Sequence, residues 1–352
     1  MRLSYLRFSP LLLALMASAA QAVEPPPERL SATGLYADIT TKRVAEGLVG
    51  FTPQYPLWTD GATKRRWIYL PPGTFVDASD PDAWQFPVGT RVWKEFAFER
   101  RVETRMIELA DSGWRFVSYR WLPDGSDAVL AAEFGERGVY TVAPGVRYDL
   151  PSRYDCRACH EGNVSRLLGF TALQLSSDRD PAAIHGGAPN EGDLDLAALV
   201  ARGLVRNLSP ALVAAPPRIP ARTPLERTAL GYLVGNCANC HNDRGALADL
   251  GFSLEVRVAP DSDPVPGAIR TGFGQPAHYQ PAGEPAHLRF AAGEPEESAV
   301  WRRVSSRVAV TQMPPLGTKL VDREAVELLE RWIRSASSVE GEVSKSSEKE
   351  MR

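Results

Sequence analysis

The sequence predicts an α+β protein of more than one domain: an N-terminal antiparallel β-sheet or sandwich followed by a mainly α-helical domain. Three observations carry this. Short aromatic and β-branched runs divided by Gly, Asp and Pro fill the stretch from Thr52 to about Val142. After Pro151 apolar residues recur at helical spacing. All four cysteines fall in this second part, in two Cys-x-x-Cys pairs.

The chain of 352 residues is long enough for two domains and a sizeable core. Its formal net charge is −3 and its basic residues are scattered, so no polyanion site stands out and nucleic acid is not an expected partner. Residues 1–22 read as a signal peptide: Arg2 and Arg7 form a basic start, Leu11 to Ala19 an apolar stretch, and Ala20-Gln21-Ala22 a small-residue cleavage site. The apolar stretch is shorter than the roughly 18–20 residues that span a bilayer, so cleavage is expected before Val23. The mature chain is then exported, to the periplasm, with no integral membrane span.

In the β-rich region 23–150, strands are predicted over Arg66–Leu70, Arg91–Phe98, Arg101–Leu109 and Arg115–Trp121. Pro71-Pro72-Gly73 stops the first, and Asp111-Ser112-Gly113 turns the third into the fourth. In the third, Val102, Thr104 and Met106 share one face and Glu103, Arg105 and Ile107 the other. Residues 151–223 hold the first Cys pair and a connector with four prolines between Ser209 and Thr223. Within them Leu196, Leu199, Val200 and Leu204 form a helical stripe. From Thr223 as N-cap and Pro224 as first helical residue, a helix runs to Val234. A last helix spans Asp322 to Ser335, with Ala325, Leu328, Leu329, Trp332 and Ile333 on its apolar face. Residues 336–352, rich in Ser, Glu and Lys, read as a disordered tail.

Cys156-Arg157-Ala158-Cys159-His160 and Cys237-Ala238-Asn239-Cys240-His241 each match C-x-x-C-H, the pattern of covalent haem attachment. Two thiols about one turn apart can form thioethers to the two vinyl groups of one haem, and the following imidazole then reaches the iron. A zinc site gives no reason for a histidine after each pair. A redox Cys-x-x-Cys usually opens a helix in a βαβ setting, and a disulfide closing so short a loop is a poor staple. Two covalent haems are therefore expected, with His160 and His241 as axial ligands.

Met313, in Gln312-Met313-Pro314-Pro315-Leu316-Gly317, is the candidate sixth ligand of the second iron, because a thioether on a proline-restricted loop suits that role. The alternative is an ordinary core methionine. For the first iron the candidates are His185, Met106, His278 and His287, or an open position. A helix before the attachment site, a ligand loop and a closing helix make residues 224–335 similar to a small cytochrome c domain, with Gly231, Tyr232 and Trp332 at the expected crossing of the two helices.

Several further runs complete the pattern: Tyr55-Pro56-Leu57-Trp58-Thr59-Asp60-Gly61-Ala62, Phe86 to Thr90, Trp93 to Phe96, Val102 to Arg105, Tyr154 to His160 and Asn236 to His241. With them, nearly the whole mature chain resembles bacterial diheme c-type cytochromes with a β-rich N-terminal region. That resemblance implies two haems, a periplasmic location and redox partner proteins, and it implies little about substrate. Periplasmic electron transfer is the leading expectation. A diheme peroxidase or oxidase reacting at an open first haem, and a partner-binding module, are the alternatives.

Overall fold

A computed structural model describes residues 25–259, 262–281 and 287–350, with side chains as far as Ala336. The expected signal peptide lies outside the described residues. The chain has a mixed α+β architecture, an N-terminal antiparallel β-region followed by a more helical C-terminal part.

The N-terminal region opens with a small pair, β1 (Tyr36–Asp38) and β2 (Arg43–Val44). Its centre is a six-stranded antiparallel sheet. In spatial order the strands are β3 (Val49–Gly50), β4 (Thr63–Tyr69), β6 (Arg91–Ala97), β7 (Arg101–Ala110), β8 (Gly113–Trp121) and β9 (Ala128–Leu130). Between β4 and β6, the short β5 (Val76–Asp77) pairs in parallel with β12 (Val205–Arg206), which ties the connector region to the sheet. A hairpin of β10 (Glu136–Ala143) and β11 (Val146–Leu150) follows the sheet and leads into the first cysteine pair.

The four predicted strands are therefore present, but there is no second large sheet among the described residues. Each face of the central sheet is covered by other means. On one face Trp67, Trp93, Met106, Val117, Tyr119 and Trp121 pack with Leu30, Leu35 and Tyr36 from the N-terminal segment. On the other, Ile68, Val92 and partly buried Ile107 pack with Leu167, Phe170, Leu175, Leu196 and Leu199 from the region after the first cysteine pair. Residues alternating along a strand thus serve two different cores, which is why both faces of β7 are largely buried.

The helices are α1 (Arg153–His160), α2 (Leu196–Ala201), α3 (Pro210–Ala214), α4 (Pro224–Asn236), α5 (Gly267–Gly272), α6 (Ala299–Val304) and α7 (Arg323–Glu350). Helix α4 begins as its sequence directs: Thr223 accepts a hydrogen bond from the Glu226 amide at 3.1 Å and Pro224 takes the first turn. Helices α4 and α7 pack together, and Leu230, Leu233, Leu328, Leu329, Trp332 and Ile333 form their shared core. Helix α7 continues to Glu350, beyond the predicted end at Ser335. The Glu and Lys residues that suggest a solvated tail are also good helix formers, so the backbone carries the helix on after the apolar stripe ends.

The predicted crossing contact differs in one respect. The space beside Gly231 is filled by Tyr55 of the N-terminal region: an ideal Cβ at Gly231 would lie well inside van der Waals contact of the Tyr55 ring, and one at Gly235 would meet the Tyr55 carbonyl oxygen. The two glycines lie on one face of α4 and admit the N-terminal region against it.

Candidate functional site

The two cysteine pairs, some eighty residues apart in the chain, meet in space. Helix α1 presents the first. A capping box starts it: Ser152 Oγ accepts from the Asp155 amide at 3.1 Å, and Asp155 accepts from the Ser152 amide at 2.8 Å. This Ser-x-x-Asp pattern was a readable signal for a helix that periodicity alone does not reveal. The helix packs on β8, where the His160 ring lies 5.2 Å from that of Phe116. The second pair follows directly from the end of α4, where the Cys237 amide donates to the Leu233 carbonyl.

Buried Asn242 fastens the two segments together. Its amide donates to the Gly162 carbonyl at 2.8 Å and to the Ala238 carbonyl at 3.0 Å, while its oxygen accepts from the amides of Arg244 and Gly245. The Cys240 thiol approaches the Ala158 carbonyl at 3.9 Å, and the neighbouring Cys159 and Cys240 side chains act on each other, raising the Cys159 thiol and lowering that of Cys240.

Each pair opens on a cavity of its own. The first, about 1550 Å³ including its solvent-open part, is lined by Cys156, Cys159 and His160 together with the sheet residues Arg66, Lys94 and Arg105. The second, about 1300 Å³ on the same measure, is lined by Cys237, Cys240, His241 and Met313. Trp58, Asn236, Cys240, Pro314, Pro315 and Thr318 border both cavities. Trp58 is held there from two sides. Its amide donates to Asn236 Oδ1 at 2.7 Å, and two residues on, Asp60 Oδ1 accepts from the amides of Lys319 and Leu320 at 2.7 and 2.8 Å.

The residues fit a large tetrapyrrole held by thioethers. All four thiols are free and partly accessible. Burial raises the Cys156 thiol to about 11 and the Cys237 thiol to about 12, so both are held protonated. Burial also lowers both histidines to about 4, which keeps the imidazoles neutral and able to bind a metal. His160 is oriented as well: its Nδ1 lies 2.6 Å from the Arg166 carbonyl, which fixes the proton there and leaves Nε2 for a metal. Among the described residues, no group of three or more His, Cys, Asp or Glu side chains is arranged to hold a metal ion by itself.

Of the other sequence candidates, Met313 and His278 line the second cavity. His185 does not line the first: its Nε2 is hydrogen-bonded to Asp322 at 2.9 Å, beside the α7 N-terminus that Asp322 caps. The carboxylate that sequence assigned only to capping thus also takes up the imidazole. His287 is buried 3.4 Å from Glu297. Met106 borders the first cavity, yet it belongs to the tryptophan-rich cluster on the far side of the sheet. Sequence reasoning missed Arg66, Lys94 and Arg105, which only the strand register gathers.

No family model, curated protein or solved structure matches this chain. Among the described residues no helix is long and apolar enough to cross a membrane.

Proposed function

We propose that this protein is an exported diheme c-type cytochrome that transfers electrons between periplasmic partner proteins. The observation that carries this reading is the juxtaposition of two C-x-x-C-H motifs across one contact, each facing a large cavity that contains its own neutral histidine. When attached, each haem supplies a one-electron ferric–ferrous couple. The chain supplies the rest. Cys156 and Cys159 tether one group and Cys237 and Cys240 the other. The Arg166 carbonyl holds the proton of His160 away from the iron side. Residues 224–335 would serve as a cytochrome c-like unit in which Met313, in the lining of the second cavity with His241, would offer its thioether to the iron. Trp58 and the Pro314-Pro315 loop border both cavities.

The test is haem-to-protein stoichiometry of the purified exported chain, with electron paramagnetic resonance of the ferric state. A ratio near two and a low-spin signal from the second haem are expected. A ratio near one contradicts attachment at Cys156 and Cys159, and a ratio near zero ends the reading altogether.

A second reading, ligand chemistry at the first iron, is favoured by one observation: His185, His278 and His287 all lie away from the lining of the first cavity. It predicts a high-spin ferric signal and binding of cyanide or carbon monoxide at one haem. Two low-spin haems indifferent to both ligands would rule it out.

A further inference from the structure

Arg66, Lys94 and Arg105 lie directly opposite one another on three adjacent strands: Arg66 pairs with Lys94 across β4 and β6, and Lys94 with Arg105 across β6 and β7. Cross-strand partners share a face, so the three side chains form one row, and all three line the first cavity. Like charges placed directly opposite destabilise a sheet unless something neutralises them.

The counter-charge within the chain is insufficient. Glu103, two residues from Arg105, is fully buried and is used up locally. It accepts from Arg105 Nε at 2.7 Å and Nη2 at 3.0 Å, from Ser118 Oγ at 2.9 Å and from the Tyr148 hydroxyl at 2.5 Å. Among the described residues, the side chains of Arg66 and Lys94 make no direct hydrogen bond or ion pair; Asp193 and Glu103 act on them only as nearby charges. Lys94 rests 5.0 Å from the Phe96 ring centroid, and Arg66 is only 6% exposed. Burial and the neighbouring Arg66, Lys64 and Arg105 disfavour the charged form of Lys94, so an anion seated on the row would restore its proton and charge. Two side chains without a direct partner on one cavity wall, beside a third that Glu103 anchors, form a built row of donors for a negative group.

We propose that Arg66, Lys94 and Arg105 form an oxyanion site in the first cavity. The inference rests on the diheme reading for its context, and the ligand chemistry is a carboxylate-sized anion. Two sources share that chemistry: the carboxylate side chains of a haem tethered at Cys156 and Cys159, or a small free oxyanion such as nitrite. Arg66 and Lys94 supply donors that no side chain of the protein engages directly. Arg105 supplies a donor whose direction Glu103 fixes.

The experiment compares the haem-loaded protein with Arg66→Gln and Lys94→Gln, and with Arg66→Lys, which keeps the charge and guards against a folding defect. Haem content is measured first, so failure of the diheme reading is seen separately from failure of the site. Next come the potential of the first haem by spectroelectrochemistry and the protection of the chain by nitrite in thermal unfolding, a readout that does not depend on haem content. If haem carboxylates occupy the row, each Gln variant shifts the ferric–ferrous equilibrium toward ferric about tenfold, a fall of ~59 mV for a one-electron couple, and Arg66→Lys restores most of it. If a free oxyanion occupies it, nitrite protects the wild type and about tenfold more is needed in the Gln variants. Potentials and nitrite protection that are the same in wild type and both Gln variants overturn the proposal.

Discussion

The Cys240 thiol lies 3.9 Å from the Ala158 carbonyl of the other motif, and its side chain neighbours that of Cys159. Cys159 and Cys240 are each the second cysteine of their motif, so the two motifs meet at the residues next to their histidines. If haems are attached as proposed, their tethers start from neighbouring residues, as a relay would require.

This contact predicts a cross-link in the haem-free chain. Produced in the cytoplasm from Val23 onward, the protein should retain four free thiols, and mild oxidation should join Cys159 to Cys240 with the loss of two hydrogens to the oxidant. Peptide mapping under non-reducing conditions checks it. The haem-loaded chain should give no such link, because thioethers consume both sulfurs. Cross-links only within each Cys-x-x-Cys pair would contradict the contact.

A second prediction concerns Gly231. On an exposed helix face Gly→Ala stabilises by about 0.5–1 kcal/mol. Here the new methyl would enter the Tyr55 ring, and overpacking of that kind costs about 1–3 kcal/mol. The clash should win, so Gly231→Ala lowers stability in urea unfolding. In a Tyr55→Ala background the same substitution should become neutral or stabilising. Equal costs in both backgrounds would mean that the two sites do not interact.

Much of this arrangement was legible in the sequence, and the reasons for the rest are physical. Predicted strands over Arg91–Phe98 and Arg101–Leu109 match β6 and β7 to within a residue, because period-two alternation is a local property. Thr223 and Pro224 located the start of α4 for the same reason. The cationic row was not legible. Arg66, Lys94 and Arg105 are scattered in the chain, and only the register of three strands aligns them. The role of Gly231 was misjudged because its neighbour, Tyr55, comes from far upstream rather than from the closing helix. His185 was a reasonable ligand on residue type, but the carboxylate of Asp322 reaches it from a distant element.

Acid should weaken the start of α4 through Glu226. Burial pushes this carboxyl up, but the Arg222 side chain, 2.6 Å away at its closest, and the Arg222 amide at 2.9 Å outweigh burial and hold it below its ordinary 4.5. A carboxyl depressed in the folded state contributes stability that is present above about pH 4.5 and lost as the pH falls through the lower folded value. The urea midpoint of the wild type should therefore fall more steeply than that of Glu226→Gln between pH 5 and 3, both set as experimental conditions of roughly this window. Parallel curves would remove Glu226 from the acid response.

The last prediction separates the two cavities by chemistry. Met313 lines the second, where its amide donates to the Arg303 carbonyl at 2.9 Å and its carbonyl accepts from Arg307, so the backbone of the ligand loop is held on both sides. Removing the thioether with Met313→Ala leaves that backbone in place and, if Met313 ligates the second iron as proposed, deletes a soft ligand that favours ferrous iron. The potential of the second haem should fall by more than the ~59 mV of a tenfold change, and a sulfur-to-iron charge-transfer band should disappear. The first haem should keep its potential, because its cavity is bordered by Pro314 and Pro315 but not by Met313. A loss of potential at both haems would show that the loop acts on them together through its prolines. An unchanged ferric spectrum would return Met313 to the role of a core residue.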